Sequence, residues 1–582
     1  MGALFLVRAD EGGFADAAIA AARDQFVLHG LPEPTPKHFA GWRLLHAPPV
    51  FGRPQGLLEE GDDFVAVAGT PSCEGELGRG ALEAMLRMPW PAPDWERLGG
   101  QFVAIIHRGG RTFVLTDYFA AFQLFHDVER RLFSTSLLAA VRALPRVSFD
   151  PQGVYEFAFN VVPIGNDTVF AELKTLGPNE VLELTLDGVI AHQVTKKLPG
   201  ESIELPAQER VARHREKLAA VVRPHVEAFG DKVCCPLSGG LDSRLLLAAL
   251  RAGGCRPSLY VYGDRDGADV RIAREIGKAE GFEVEWFDKE GFRDVEPDAF
   301  PEQVERNFQQ YDALPNFGEL FENGGNAAAR DARHRDGALA ASGGCGEIFR
   351  NFFFLPDCPL TAGAVARAFF ARFAPGDATA EFDATEFLRR IEEKILSALE
   401  LEGARGPLPR ALLEQVYPRV RCRSLFGREI SLESRYGAYL MPFLDHRLVA
   451  EAMTLPLRLK NAGRFEAMLL NDIDPALARH RSAYGHDFAG PPGRRHRFDE
   501  WATRVRPVWL RQKSYAIQRR LGSVGDEHGG LLSPEYLGRV IDLEFPVMRR
   551  FFNPDRINDS GMMRRIANLE YLAARLGSRL AG

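Results

Sequence analysis

The sequence predicts a mixed α/β chain in two parts: a β-rich domain over residues 1–200 and a parallel-sheet α/β domain over residues 201–582. Three observations carry this. Short apolar runs alternate with glycine and charged stops up to about residue 195. A break follows at Lys197-Leu198-Pro199-Gly200 and Leu205-Pro206. Beyond it the order becomes strand, turn, helix, strand, helix, strand, and that order demands parallel pairing.

In the first part, Leu4–Val7, Phe64–Ala68, Phe102–His107, Thr112–Thr116 and Val181–Leu186 read as strands. Arg108-Gly109-Gly110-Arg111 is a hairpin turn, because two glycines tolerate positive φ. Ala15–Leu28 has helical composition, and Pro91–Glu96 is a loop rich in proline and charge. In the second part, Gln208–Phe229 is a helix with Val211, Leu218, Val221, Val222 and Val226 on one side. Val233–Pro236 is a buried strand and Ser238-Gly239-Gly240 a tight turn. Leu241 opens an amphipathic helix that reaches Leu250 and stops at Gly253-Gly254. Strand Ser258–Tyr262, helix Asp269–Ala279 and strand Glu283–Phe287 follow. A later strand, Leu339–Ser342, ends in Gly343-Gly344-Cys345-Gly346-Glu347.

The chain has 582 residues, and its net charge is 72 − 79 = −7. A protein that coats nucleic acid by bulk charge is usually basic, so nucleic acid is not an expected partner. Seven cysteines, an odd count without a C-x-x-C pair, argue against a disulfide framework or a zinc site and for a reducing, cytoplasmic setting. The apolar run from Met1 to Val7 is too short for a signal peptide, Leu6 breaks the myristoylation pattern, and no run approaches the ~18 residues of a membrane span.

The chemistry concentrates in Leu237-Ser238-Gly239-Gly240-Leu241-Asp242-Ser243. A strand, a Ser/Gly turn and a helix N-terminus bring N–H groups together, and the helix dipole favours an anion there. This is not the lysine-bearing loop of kinases and GTPases. Asp242 suits a Mg²⁺ ion that bridges phosphates. Glu347, in a glycine-rich loop, is a second candidate carboxylate.

Ser238–Ser243 resembles the pyrophosphate loop of the asparagine synthetase family, and the similarity extends along nearly the whole chain. Leu98–Ile105 with Thr116–Phe119, and Thr168–Phe170 with Leu176–Pro178, look like that family's glutaminase domain. Ser431-Leu432-Glu433-Ser434-Arg435 and Met441-Pro442-Phe443-Leu444-Asp445 resemble its second half. The resemblance implies an Ntn-hydrolase-like αββα sandwich followed by an ATP-pyrophosphatase domain (adenine nucleotide α-hydrolase-like) with extra helices. It also implies ATP and Mg²⁺ as cofactors. Leu237–Ser243, Val261, Ser342 and Gly343 would bind ATP, and Asp242 and Glu347 would hold the metal.

Several family groups are absent. Gly2 stands where the glutaminase needs its cysteine nucleophile, and Cys73 is internal. Ala68-Gly69-Thr70 replaces Asn-Gly-Glu, and Leu98-Gly99-Gly100 replaces Leu-Asp-Gly. Gly346 stands at an aspartate position. Ala483, in Arg481-Ser482-Ala483-Tyr484-Gly485, stands at the position of the family's adenylation lysine. Arg481 is the expected substitute, with Arg479 and Lys460 as alternatives. His486 and Asp487 form a candidate base pair. Arg494–Arg497 is a candidate phosphate patch, and Phe349, Phe352, Phe353 and Phe354 a candidate acyl or peptide pocket.

The resemblance therefore implies an ATP-dependent, AMP-forming carbon–nitrogen ligase that does not use glutamine. Its catalytic residues would be Asp242, Glu347 and Arg481. The substrate would be a small-molecule or peptide carboxylate with its own amine, as in family branches that close β-lactams or cyclise lasso peptides. A precursor peptide or a biosynthetic protein would then be its partner. An asparagine synthetase fed by ammonia or glutamine, and a non-catalytic nucleotide-binding scaffold, are the alternatives.

Overall fold

The computed structural model describes residues 2–10, 12–52, 56–288, 295–316, 319–511, 517 and 528–581. Of the amino-terminal run, Met1 lies outside the described residues.

The first part forms two six-stranded sheets. From edge to edge, one holds Leu173–Thr175, Phe125–Asp127, Leu132–Ser134, Ala3–Arg8, Trp42–Ala47 and Thr35–Phe39. The other holds Val189–Gln193, Glu180–Leu184, Arg111–Thr116, Leu98–Arg108, Asp63–Cys73 and Leu57–Glu60. Both are antiparallel throughout.

Period-two alternation sets the layering. On paired strands, Phe64, Ala66, Ala68, Val103 and Ile105 face the first sheet. Val65, Val67, Phe102, Ala104 and Ile106 face the other way, where Leu82 and Met85 of helix Gly78–Arg87 cover them. Helix Phe14–Leu28 buries Ala18, Ala22 and Phe26 against the first sheet. The layers are helix, sheet, sheet, helix. Gly109 and Gly110 adopt φ of 57° and 77° in the expected hairpin turn.

The second part holds a five-stranded sheet in the order Val284–Phe287, Ser258–Tyr262, Val233–Pro236, Leu339–Ala341, Tyr439–Leu440, with every pairing parallel. The expected strand and helix positions agree within about two residues. The fifth strand, two residues long, was not read from the sequence; it lies between the two motifs Ser431–Arg435 and Met441–Asp445. The chain starts in the centre, builds outward to one side, and returns to build on the other. Order therefore reverses between Val233–Pro236 and Leu339–Ala341. Ligands of open parallel sheets sit at such a reversal, beyond the strand carboxyl ends.

Residues 194–206 carry no regular structure, so the chain does pass irregularly between its two parts. The core, however, is shared, since one apolar cluster runs through both. Gly2, Val50 and Phe51 donate backbone hydrogen bonds to Ser434, Arg435 and Tyr436. Buried Asp312 accepts from the N–H groups of Leu137 and Leu138 at 2.7 and 2.9 Å, capping helix Leu137–Ala143 of the first part, and pairs with Arg435 at 2.7 Å. Among the described residues, no helix is long and apolar enough to cross a membrane.

Candidate functional site

Leu237 leaves the central strand with its N–H bonded to the Tyr260 carbonyl. The turn after it is internally tied. Ser238 N–H donates to Ser243 Oγ at 3.0 Å, the two hydroxyls meet at 2.9 Å, and Gly240 N–H donates to Ser238 Oγ at 3.2 Å. Gly239 N–H donates to Asp269 Oδ1 at 2.9 Å. Three N–H groups expected to hold an anion are thus used within the chain. What remains for an anion is the first turn of helix Asp242–Ala252, whose N–H groups lack helical partners by geometry.

The second loop lies directly on the first. A Cβ at Gly343 would lie 2.9 Å from the Asp242 carbonyl carbon and 3.0 Å from Ser243 N. Gly344 N–H donates to Ser342 Oγ at 3.1 Å, and Cys345 takes φ 68°. A Cβ at Gly346 would lie 2.0 Å from Asp242 Oδ1. A side chain at position 346 would collide with the Asp242 carboxylate, which fills that space.

Three carboxylates surround one cation here. Arg350 pairs with Asp242 and, at 2.9 Å, with Glu466. Glu347 accepts from Tyr417 Oη at 2.5 Å. Burial pushes the Glu347 carboxyl up, and the Asp242 charge adds to the shift. Burial pushes Glu466 well up, although Arg350 opposes it. Burial works against the Arg350 charge, but Asp242 and Glu466 outweigh it and hold the guanidinium well above its usual range. Among the described residues, no group of three or more His, Cys, Asp or Glu has metal-holding geometry. Asp242, with Glu347 nearby, suits magnesium that arrives with nucleotide phosphates, which needs only one or two protein carboxylates.

Gly343 lies against Asp242 and Ser243, Ser342 accepts from Gly344 within its own loop, and Leu241 lines the adjacent cavity, whereas Val261 is buried within its strand. Arg481 is exposed; its carbonyl accepts from buried Arg244, and its side chain is not among the groups lining the adjacent cavity. The expectation that Arg481 supplies the site's positive charge is therefore corrected: Arg350 does. Arg479 is exposed, and Lys460 is buried against Glu414 at 2.9 Å. Ala483 does reach the loop, because its N–H donates to the Gly239 carbonyl at 3.0 Å. His486 and Asp487 do not pair. His486 Nδ1 meets the Tyr484 carbonyl, and Asp487 accepts from Ala489 and Gly490. Phe349 and Phe353 are core residues, while Phe352 and Phe354 line the cavity.

The charged residues of the Ser431–Arg435 and Met441–Asp445 segments make structural ion pairs. Glu433 binds Arg330, Arg333 and His334, Arg435 pairs with Asp312, and Asp445 caps helix His446–Met453 and pairs with Arg447.

The positions where the resemblance would place a glutamine site are sterically filled. Gly2 has φ 94°, and a Cβ there would lie 2.0 Å from the Ala47 carbonyl oxygen. A Cβ at Gly69 would lie 2.3 Å from the Gln101 carbonyl oxygen, and one at Gly99 would lie 2.5 Å from Arg447 Nη2. Thr70 Oγ1 accepts from Tyr439 N–H at 3.1 Å. Cys73 is buried, which pushes its thiol up to about 11.

No family model matches this chain. No curated protein matches it either. Among solved structures, the chain is similar to one described as the allosteric regulatory enzyme of purine biosynthesis, at 11% identity and a TM-score of 0.24, covering 51% of this chain and 76% of that one. It is also similar to glutamine phosphoribosylpyrophosphate amidotransferase from B. subtilis complexed with ADP and GMP, at 9% identity and a TM-score of 0.21, covering 49% of this chain and 66% of that one.

Proposed function

We propose that the chain is an ATP-dependent ligase that adenylates a substrate carboxylate and joins it to an amine, releasing AMP and pyrophosphate without hydrolysing glutamine. The observation that carries this reading is the contact of Ser238–Ser243 with Ser342–Glu347 at the strand-order reversal, with Asp242 at its centre. When bound, Mg·ATP supplies an electrophilic α-phosphorus and a pyrophosphate leaving group. The first-turn N–H groups of helix Asp242–Ala252 hold phosphate charge, with its dipole behind them. Arg350 supplies the buried positive charge that Ala483 does not. Glu347, with its raised affinity for protons, accepts one from the attacking amine.

The nitrogen is an amine on the substrate itself, in the manner of a lasso peptide or lactam cyclase. The filled volumes at Gly2 and Gly99 support this, because they leave no room for a glutaminase nucleophile or an aspartate at those positions. A precursor peptide is the partner this reading calls for. A second reading, a nucleotide-binding scaffold without catalysis, is favoured by the Arg350–Asp242 pair and by Asp269 on the loop.

The test is pyrophosphate release with ATP, Mg²⁺ and a panel of amino acids and short peptides, in the wild type and in Asp242→Asn. The ligase reading expects substrate-dependent release that falls at least a hundredfold in the variant. No release from any substrate, with ATP still bound in calorimetry, favours the scaffold.

A further inference from the structure

A cavity of about 250 Å³ opens beside the two loops, between Leu241, Glu347 and Arg350 on one side and helix Arg494–Val505 on the other. Four rings form one wall. Tyr484 lies 5.1 Å from His496 and 5.9 Å from Phe488 between ring centroids, and His486 lies 5.5 Å from His496 and 5.9 Å from Phe488. Phe352 and Phe354 add two more apolar faces. The charges are one-sided. Among the described residues, Glu347, Asp487 and Glu500 line the space against Arg350 alone, and Arg350 is already engaged by Asp242 and Glu466.

We infer that this cavity binds a primary ammonium group carried on a short apolar stem, such as the amino terminus of a peptide or an arylalkylamine. Aromatic faces attract a cation through their quadrupoles, and carboxylates lining the space pair with it. An anionic ligand would meet three carboxylates instead. The volume falls below the ~300 Å³ of sites for drug-sized ligands, so the cavity admits one side chain or one chain end. Burial lowers the His496 pKa, and neighbouring His486 lowers it further, so His496 presents a neutral π face and not a competing cation. His496 and Glu500 are four residues apart on one helix, so a single helical face brings a ring and a carboxylate to the site.

The inference deepens the ligase reading by naming the class of its amine, and it rests on that reading only for the use made of the amine. Binding is measured without nucleotide, by calorimetry on the full chain with 2-phenylethylamine, 2-phenylethanol and 3-phenylpropionate. The amine is expected to bind at one site, at least tenfold tighter than the alcohol, with no binding of the carboxylate. Glu500→Gln and Tyr484→Ala should each weaken the amine at least fivefold, while Tyr484→Phe should restore the ring and most of the affinity. Thermal melting controls for folding of each variant. Equal binding of the carboxylate, indifference to Glu500→Gln and Tyr484→Ala, or displacement of the amine by equimolar Mg²⁺ would each overturn the inference. Amine binding without any pyrophosphate release would sink the ligase reading alone. Release without amine binding would sink only this one.

Discussion

Asp242 Oδ1 occupies the volume that a side chain at Gly346 would need, 2.0 Å from where its Cβ would stand. The absence of a second carboxylate in the Ser342–Glu347 loop and the position of Asp242 are therefore one structural fact. Gly346→Ala should lower stability by about 1–3 kcal/mol through overpacking. Gly346→Asp should lower it more, because it adds charge to an acidic cluster, and it should not create a metal site. Thermal melting with and without Mg²⁺ checks both.

Arg350 is the partner shared by Asp242 and Glu466. Arg350→Gln strips the cation from half-buried Asp242 and buried Glu466, which should cost less than the about 3–5 kcal/mol typical of a fully buried pair. The sign with pH follows from Glu347 and Glu466, whose pKa values are raised in the fold. The folded state then binds a proton that the unfolded state has released, so these groups favour folding as pH falls. The gap between variant and wild type should narrow between pH 7 and pH 5 in urea titrations.

Glu433 runs the other way. Although burial would raise its pKa, Arg333, Arg330 and His334 hold the carboxyl far below its ordinary value of 4.5. Its stabilisation is present above that value and fades as pH falls towards the folded pKa. Wild type should therefore lose stability below about pH 4.5 more steeply than Glu433→Gln, which starts lower because it leaves two buried arginines short of a partner.

Asp269 accepts the Gly239 N–H that a phosphate would use. Asp269→Asn keeps an acceptor there and removes the charge. ATP affinity by calorimetry should rise several-fold. An unchanged or weaker affinity would mean that phosphate does not approach this loop.

Gly2→Cys should not restore glutamine hydrolysis, because its Cβ would collide with the Ala47 carbonyl oxygen. A lowered melting temperature and no glutamate released from glutamine are the expected readings.

Much of this arrangement was legible in the sequence where the signal is local. Val233–Pro236, the Ser238 turn and helix Asp242–Ala252 are one short segment whose period changes from strand to helix. Strand Thr35–Phe39 was not legible, because its Thr-Pro-Lys-His-Phe sequence alternates weakly and none of its residues is buried. Arg350 was missed because its partners lie 108 and 116 residues away in sequence, Asp242 before it and Glu466 after it. Glu466 did leave a trace, since a lone carboxylate in Phe465-Glu466-Ala467-Met468-Leu469 interrupts an otherwise apolar turn. Arg481 misled because its spacing to Ala483 fits a family pattern, while the side chain that faces the loop from that segment is Ala483.

The cap that Asp312 places on helix Leu137–Ala143 has a consequence for how the molecule is made. The helix start and its carboxylate are 175 residues apart. At about 5–20 residues per second, a ribosome takes roughly ten to thirty-five seconds to deliver the second after the first. Throughout that interval the Leu137 and Leu138 N–H groups of the nascent amino-terminal half lack their Asp312 acceptor, and Ser136 Oγ alone caps the helix through Ala139. A fragment of residues 1–200 made by itself would stay in that waiting condition, with the surface meant for its other half turned towards chaperones.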